Sequence, residues 1–217
     1  MAFLSEIEKT RIADAIRHAE SGTRAEIVTV IARASDGYRY IPTLWAALVA
    51  LAVPGLHHLW HVIGGGGWRW TDDATSASAG LYAVQVLVFL GLGALFQIPA
   101  LRVWLVPASI RHARAARHAR EQFFAQRLHL TEGRTGVLVF VSLAEHYVEI
   151  LVDEGIAAVV DDAEWEATVE EFIELVRVGD VARGFERTIE HCRELLWTHF
   201  PDEGGKPDEL PNHLVEV

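Results

Sequence analysis

The hydrophobic pattern begins with one helix and one strand. Ser5 and Glu8 form an S-x-x-E capping box, and the apolar residues that follow recur at helical spacing, which predicts a helix over residues 6–20. The run AEIVTVIARA is rich in β-branched residues and predicts a strand over residues 25–34. Both elements precede a long apolar stretch.

After that stretch, the pattern predicts a helix, two strands and two more helices. Residues 108–128 are rich in Arg and Ala and predict a helix. The apolar run TGVLVFVSL predicts a central strand that is buried on both faces, and HYVEILVD predicts its partner in a tight hairpin. Helical spacing returns over residues 162–178 and 181–199, and residues 201–217 are interpreted as an acidic Pro/Gly tail.

Two apolar runs between these halves have the length of membrane spans. Residues 40–68 and 74–101 contain no Asp, Glu, Lys or Arg. A helix needs about 20 apolar residues to cross roughly 30 Å of hydrocarbon. We therefore expect spans at about 41–63 and 79–101, joined by a short polar loop into a transmembrane helical hairpin. The alternative is a pair of buried core helices.

Aromatic and basic residues near the runs predict how the hairpin lies in the membrane. Amphipathic aromatic residues favour the interface, and those near the span ends are Trp45, Trp60, Trp68, Trp70, Tyr82 and Trp104. Basic residues flank the pair of spans, whereas the loop carries only Arg69. The positive-inside rule then places both termini in the cytoplasm, at the inner or plasma membrane if the protein is bacterial. We expect no cleavable signal peptide, because the amino terminus lacks an apolar core segment.

Composition and charge distribution agree with this division of the chain. The 217 residues are 51% hydrophobic with a mean hydropathy of +0.18, which excludes a disordered chain, and one Cys excludes a disulfide framework. The net charge is −11. Residues 135–217 contain twenty acidic and five basic side chains, whereas residues 102–134 contain seven Arg and two Glu. A basic segment therefore follows the second apolar run.

The elements on either side of the hairpin are expected to form one domain. A single strand before the hairpin cannot bury its apolar side chains alone, so it must join a sheet that is encoded beyond the hairpin. We predict a discontinuous α/β domain from residues 1–40 and 107–200, with a small mixed sheet flanked by helices. The hairpin at residues 41–106 interrupts this domain.

The order of these motifs resembles the TPM domain family. An opening helix, EIVTVIA, TGVLVFVS, HYVEILVDEGIAAVVDD and two closing helices occur in the family's order, over about 1–35 and 107–200. The chain is especially similar to the bacterial membrane-protein branch, in which a hairpin interrupts the domain. The resemblance implies acid phosphatase-like or photosystem-repair relatives, and carboxylates near strand ends that bind calcium or magnesium. This chain departs from the family at 134–136, where it has Arg-Thr-Gly in place of an acidic Asp-Asn-Gly step.

An acidic cluster follows the third predicted strand. Hard cations bind several oxygen ligands at once, so Asp153, Glu154, Asp161 and Asp162 are the candidate ligands for calcium or magnesium. Asp161 with Glu164 also fits the start of a helix, where acids accept hydrogen bonds from free amides and interact favourably with the helix dipole. Both interpretations remain open at this point.

Other motifs favour structural roles. Cys192 lacks the Arg that a thiol phosphatase loop places six positions later, so we expect it to pack between helices. His57 and His61 share a helix face, with His58 beside them, which fits a metal pair less well than interfacial histidines. The glycines at 64–67 lack the G-K-[ST] that completes a P-loop, which favours a flexible turn.

Four arginines recur every three residues on the helix after the second apolar run: Arg111, Arg114, Arg117 and Arg120. A basic helix can bind nucleic acid, but this one begins beside the membrane. Attraction to anionic lipid headgroups explains it better, and we expect no nucleic-acid partner.

The sequence therefore favours a membrane-anchored, non-enzymatic binding or assembly module that acts with a protein partner at the membrane surface. Neither a nucleophile–base pair nor a complete set of metal ligands is visible in the sequence. The alternative is a divalent-metal-dependent, acid phosphatase-like hydrolase. A small transport component is a weaker hypothesis, because the apolar runs contain no charged residue.

Overall fold

A computed structural model describes residues 4–64, 74–202 and 210–217. The chain divides into two compact units, which are unit 1 (Met1–Asp36 with Ala108–Val217) and unit 2 (Gly37–Pro107). The helices are α1 (Glu6–Glu20), α2 (Tyr40–Ile63), α3 (Ala74–Leu95), α4 (Pro99–Trp104), α5 (Ala108–Ala125), α6 (Glu154–Ala157), α7 (Asp162–Arg177) and α8 (Val181–His199). The strands are β1 (Glu26–Ala32), β2 (Gly136–Ser142), β3 (Tyr147–Val152) and β4 (Leu214–Glu216), and 3-10 turns occupy Leu128–Leu130 and Glu132–Arg134.

The strands of unit 1 form a mixed sheet in the order β3-β2-β1-β4. β1 pairs in parallel with β2 along its whole length, from Glu26 opposite Gly136 to Ala32 opposite Ser142. β2 pairs antiparallel with β3, and β4 pairs in parallel with the other side of β1. Every residue of β1 and β2 is buried, as the apolar composition of a central strand predicts.

Helices cover both faces of this sheet. On one face, α1, α7 and α8 enclose a core that includes Ile27 and Phe185. On the other face, α5 packs Phe123 against side chains that include Phe140 of β2. The predicted fold class, a small mixed α/β sheet flanked by helices, is confirmed.

The amino-terminal helix shows how closely local sequence determines an element boundary. The Ser5 hydroxyl accepts a hydrogen bond from the Glu8 amide at 3.3 Å, and the Glu8 carboxylate accepts one from the Ser5 amide at 2.7 Å. This capping box satisfies two of the backbone amides that a helix start leaves free. The predicted helix over residues 6–20 is therefore confirmed.

The last strand corrects the interpretation of residues 201–217 as a tail. β4 pairs with Thr29, Val30 and Ile31, and the Val217 amide donates to the Ile31 carbonyl at 3.0 Å. A three-residue strand next to Pro and acidic residues is too short to produce a recognisable period. It forms because β1, a fully buried strand, needs a hydrogen-bonding partner on its second side.

Unit 2 contains the two apolar runs as helices that pack against each other. α2 covers the predicted first span and includes Pro54. α3 ends at Leu95, and a new helix begins at Pro99. The prediction of one continuous span at 79–101 is therefore wrong. Proline has no amide hydrogen to donate and fits the first turn of a helix, so it starts α4 here and does not continue α3.

One helix of the described residues is long and apolar enough to cross a membrane, where two were expected. It is Tyr40–Trp60, with a mean hydropathy of 1.4, and only 22% of its most apolar window is buried. The apolar part of α3, Ala79–Leu95, is shorter than a span requires. Trp68, Trp70 and most of the loop between the two helices lie outside the described residues.

Candidate functional site

Two of the predicted metal ligands, Asp153 and Glu154, directly follow β3, at the end of the sheet where β2 begins. The Asp153 amide donates to the Gly136 carbonyl at 2.9 Å, which holds Asp153 beside the start of β2. Asp153 is also the N-cap of α6, since its Oδ1 accepts from the Glu154 amide at 2.8 Å. Asp153 is 5% exposed, whereas the Glu154 side chain is exposed. A buried carboxylate of this kind needs a positive partner or several hydrogen bonds.

Arg134 is that partner. Its Nε lies 3.2 Å from Asp153 Oδ2, and its Nη2 lies 3.2 Å from Glu154 Oε2. Its Nη1 donates to the His129 carbonyl at 3.0 Å. We call this group the Arg134 cluster, comprising Arg134, Asp153, Glu154 and the His129 carbonyl. All three guanidinium nitrogens therefore lie next to oxygen atoms.

The backbone of the Arg134 cluster adopts an uncommon conformation. Gly133 has a φ of +75° and Arg134 a φ of +57°. The left-handed region costs a residue other than glycine roughly 1–2 kcal/mol. Gly155 packs so closely on this turn that a Cβ atom there would lie 2.7 Å from the Arg134 carbonyl oxygen, and closer still to that of Gly133. The turn before β2 and the start of α6 are thus held at a fixed, short separation.

The other two predicted ligands do not join this cluster. Asp161 and Asp162 begin α7 and are exposed, and α6 separates them along the chain from Asp153. Asp161 is the N-cap residue of α7, but its side chain makes no capping hydrogen bond. Within the described part of the chain, no group of three or more His, Cys, Asp or Glu is placed to hold a metal ion. Asp153 and Glu154 therefore lie at the start of α6, and Asp161 and Asp162 lie at the start of the next helix, α7.

The opposite end of the sheet, where β2 ends and β3 begins, carries a buried carboxylate that the sequence analysis did not select. Glu145 lies in the β2–β3 turn and is 2% exposed. Its Oε1 accepts from the Ser35 amide at 3.1 Å, and its Oε2 accepts from the Ser142 hydroxyl. The Ser35 hydroxyl in turn donates to the Ser142 hydroxyl at 2.8 Å. A Glu in a hairpin turn has the sequence signature of a surface residue, so only the packing identifies it.

A nearby ion pair joins the two segments of unit 1. Asp36, the last residue of the first segment, lies 3.4 Å from the Arg114 guanidinium of α5, in the second segment. Together with the Glu145 hydrogen bonds, this contact fixes the chain just before the point where unit 1 is interrupted. The buried polar groups where β2 ends therefore link the two segments of unit 1 and stabilise the discontinuous domain.

The four arginines expected to face the lipid do not share one environment. Arg114 is used in the ion pair with Asp36. Arg120 interacts electrostatically with the half-buried Glu149 of β3. Arg111 is partly buried and Arg117 is exposed.

Glu149 and Tyr147 lie side by side on β3. Burial raises the pKa of Glu149 above its ordinary value of 4.5, against the opposing effects of the Tyr147 hydrogen bond and of Arg120. Burial, together with the neighbouring Glu149, also raises the pKa of Tyr147. An open cavity of about 240 Å³ near this edge strand is lined by Arg120, Phe123, Phe124, Leu151 and Val152.

Of the remaining motifs, the structure describes Cys192 and two of the three histidines. Cys192 is fully buried in α8, and burial raises the pKa of its thiol to about 12, so the prediction of helix packing is confirmed. His57 and His58 are exposed on α2. The His61 side chain and residues 65–67 lie outside the described residues.

Comparisons with known proteins agree with this fold. Residues 100–195 match the TPM domain family, a stretch that includes α5, β2, β3 and α7. Among solved structures, the chain is similar to the NMR structure of the BA42 protein from the psychrophilic bacterium Bizionia argentinensis. The TM-score is 0.58 at 19% identity, and the match covers 100% of this chain and 97% of that one. No curated protein matches the chain.

Proposed function

We propose that this chain, which carries a TPM domain match over residues 100–195, is a membrane-anchored binding module. Unit 2 inserts into the bilayer, and unit 1 binds a protein partner at the membrane surface. The observation that carries the anchoring is the exposure of large apolar side chains on α2 and α3, including Leu51 at 66% and Leu87 at 68%. Soluble monomers rarely expose apolar patches of this extent, whereas a bilayer would cover them.

The lengths of the helices also support anchoring. At 1.5 Å per residue, the 24 residues of α2 extend about 36 Å and the 22 residues of α3 about 33 Å. The hydrocarbon core is roughly 30 Å thick. The first turns of α3 contain Thr and Ser, so its apolar part alone would reach less far than α2. We therefore take α2 as the longer span and α3 as a shorter span that crosses beside it, with the bilayer thinning locally to match the shorter apolar part.

The positive charges suggest an orientation for this anchor. Basic residues lie before α2 and after α3, and Arg117 of α5 is exposed. Both termini would then lie in the cytoplasm. Anionic lipid headgroups near α5 would contribute about 1 kcal/mol for each basic residue close to the surface. Arg114 pairs with Asp36, and Arg120 interacts with Glu149, both within unit 1. The lipid-binding role therefore falls mainly on Arg111 and Arg117.

Membrane extraction tests the anchoring. The wild-type chain should stay in the membrane pellet after alkaline carbonate treatment. Leu51→Lys combined with Leu87→Lys should move it toward the soluble fraction, because each Lys near a span centre costs about 2.5–3.5 kcal/mol. Val178→Lys is the matched control, since Val178 is 76% exposed in unit 1, and it should not change the distribution. Release of the wild-type chain by carbonate would refute the anchoring.

Cysteine labelling tests the two-helix topology separately. Single Cys residues at positions 76 and 207 are introduced into a Cys192→Ser background, and intact cells are treated with an impermeant thiol reagent. Position 76, in the first turn of α3, should react from outside, and position 207 should react only after lysis. Reaction of position 207 alone in intact cells would invert the proposed orientation.

The non-enzymatic part of the proposal is supported by what the candidate sites already do. Asp153 and Glu154 are paired with Arg134, Glu145 accepts hydrogen bonds from Ser35 and Ser142, and Cys192 is buried. Purified protein in detergent should therefore not hydrolyse a chromogenic phosphate ester with calcium or magnesium present. Hydrolysis that Asp153→Asn abolishes would favour the phosphatase alternative.

A further inference from the structure

The family resemblance implies calcium or magnesium at carboxylates near the strand ends, and the Arg134 cluster does not fit either ion. Calcium takes six to eight oxygen ligands at 2.3–2.6 Å, and magnesium takes six at 2.0–2.1 Å. Here two carboxylates converge, and guanidinium nitrogens lie 3.2 Å from an oxygen of each. An ion bound between these oxygens would have to occupy the space that the guanidinium fills.

Two further oxygens of the cluster already accept hydrogen bonds. Asp153 Oδ1 accepts from the Glu154 amide at 2.8 Å. The nearby backbone oxygen, that of His129, accepts from Arg134 Nη1 at 3.0 Å. These oxygens are therefore arranged as hydrogen-bond acceptors for a planar guanidinium, whose several N–H groups can contact both carboxylates at the same time.

The charge pattern of the sequence explains why a cation is needed here. Residues 135–176 contain eleven Asp and Glu and no Lys or Arg. Arg134 is the last basic side chain before this segment, and it lies against the buried carboxylate at the end of β3. A buried carboxylate without a positive partner would be strongly destabilising.

We infer that the Arg134 guanidinium supplies, from within the chain, the positive charge that a divalent cation would supply to Asp153 and Glu154. Unit 1 then folds without calcium or magnesium, and its stability does not respond to either ion. The inference concerns unit 1 and does not rest on the proposed membrane anchoring, which carbonate extraction measures separately.

Thermal melting of the full chain in detergent tests this substitution of an arginine for a metal. Each protein is melted by circular dichroism in EDTA, in millimolar calcium and in millimolar magnesium. Arg134→Asn removes the charge, whereas Arg134→Lys keeps it. Arg187→Gln is the matched control, because it removes one positive charge at an exposed pair whose atoms lie 4.0 Å apart.

The expected results separate the variants into two groups. For the wild type, Arg134→Lys and Arg187→Gln, the melting temperature of each protein should not change between EDTA, calcium and magnesium. Arg134→Asn should melt lower than the wild type in EDTA and regain several degrees with calcium or magnesium, because the freed carboxylates can then bind the ion in the folded state only. Adding Asp153→Asn should abolish that response.

Two results would overturn the inference. One is a melting temperature that calcium or magnesium raises in the wild type as much as in Arg134→Asn. The other is an Arg134→Asn chain that neither ion stabilises. If this variant does not fold in EDTA, the same spectra decide the matter: recovery of helical signal with calcium or magnesium supports the inference, and failure to recover contradicts it.

Discussion

Removing unit 2 should leave unit 1 folded, whereas removing residues 1–36 should unfold it. In the first variant, residues 37–107 are replaced by about six Gly and Ser residues. The Asp36–Arg114 contact of 3.4 Å holds the ends of the two segments in register. Arg114 lies six residues into α5, about 9 Å along the helix from Ala108. A flexible linker of about six residues, with a typical reach of roughly 13 Å, can cover this distance.

The two deletions differ widely in their energetic effect. Closing a loop of about six residues in place of about seventy changes the chain entropy by only about 2 kcal/mol, in the favourable direction. Deleting residues 1–36 removes Ile27, Val28, Val30 and Ile31, each at most 4% exposed. Burial of such a side chain contributes about 1.5–3 kcal/mol, so the four together account for roughly 6–12 kcal/mol. That range is comparable with the whole stability of a typical domain, about 5–15 kcal/mol.

Urea unfolding, followed by circular dichroism, distinguishes the two variants. The variant without unit 2 should be soluble and unfold in one cooperative transition. The same variant with Val30→Asp should lose that transition, because Val30 is fully buried in β1 between β2 and β4. If the chain lacking residues 1–36 unfolds cooperatively and the chain lacking unit 2 does not, the reasoning that joins the two segments into one domain is wrong.

Three further predictions concern single side chains of unit 1. Gly155→Ala should lower the free energy of unfolding by about 1–3 kcal/mol, because the added Cβ would lie 2.7 Å from the Arg134 carbonyl oxygen; an unchanged urea midpoint would contradict this. The pKa of Glu149 is raised by burial in the folded state, so stability should be lost as the pH rises from 4.5 through the folded pKa, and Glu149→Gln should reduce this loss. Melting temperatures across that pH range check it, and a variant with the wild-type slope would show that Glu149 is not responsible. Cys192, whose pKa is about 12, should react with a thiol reagent only at the rate of unfolding, and rapid reaction of the native chain would be inconsistent with its burial.

Local signals in the sequence predicted most elements of unit 1. The capping box at Ser5 determines the start of α1, and the runs that became β1 and β2 are apolar on both faces because both faces are buried. β4 was missed because three residues carry no period. The second apolar run was predicted as one continuous helix because it contains no charged residue. Pro99 lacks an amide hydrogen, so the helical hydrogen bonding does not continue through it.

The site was predicted less well, because its geometry depends on contacts between segments that are distant in sequence. Asp153 and Glu154 were identified as close neighbours, but their partner Arg134 precedes β2, and a two-strand hairpin brings it to them. Asp161 and Asp162 follow only a few residues later, yet they begin a separate helix, α7, whereas Asp153 and Glu154 begin α6. Spacing along the chain indicated that carboxylates gather at this edge. It did not indicate that an arginine neutralises them.

The position of the middle of α2 tests the proposed anchoring most directly. Leu51 lies near the centre of α2 and is 66% exposed. A single Cys at position 51, in a Cys192→Ser background, is labelled with an environment-sensitive dye, and the chain is reconstituted into liposomes. The dye should show the blue-shifted emission of a hydrocarbon environment and resist a water-soluble quencher, whereas the same dye at position 178 should be quenched. Water-like emission and full quenching at position 51 would contradict membrane anchoring by unit 2.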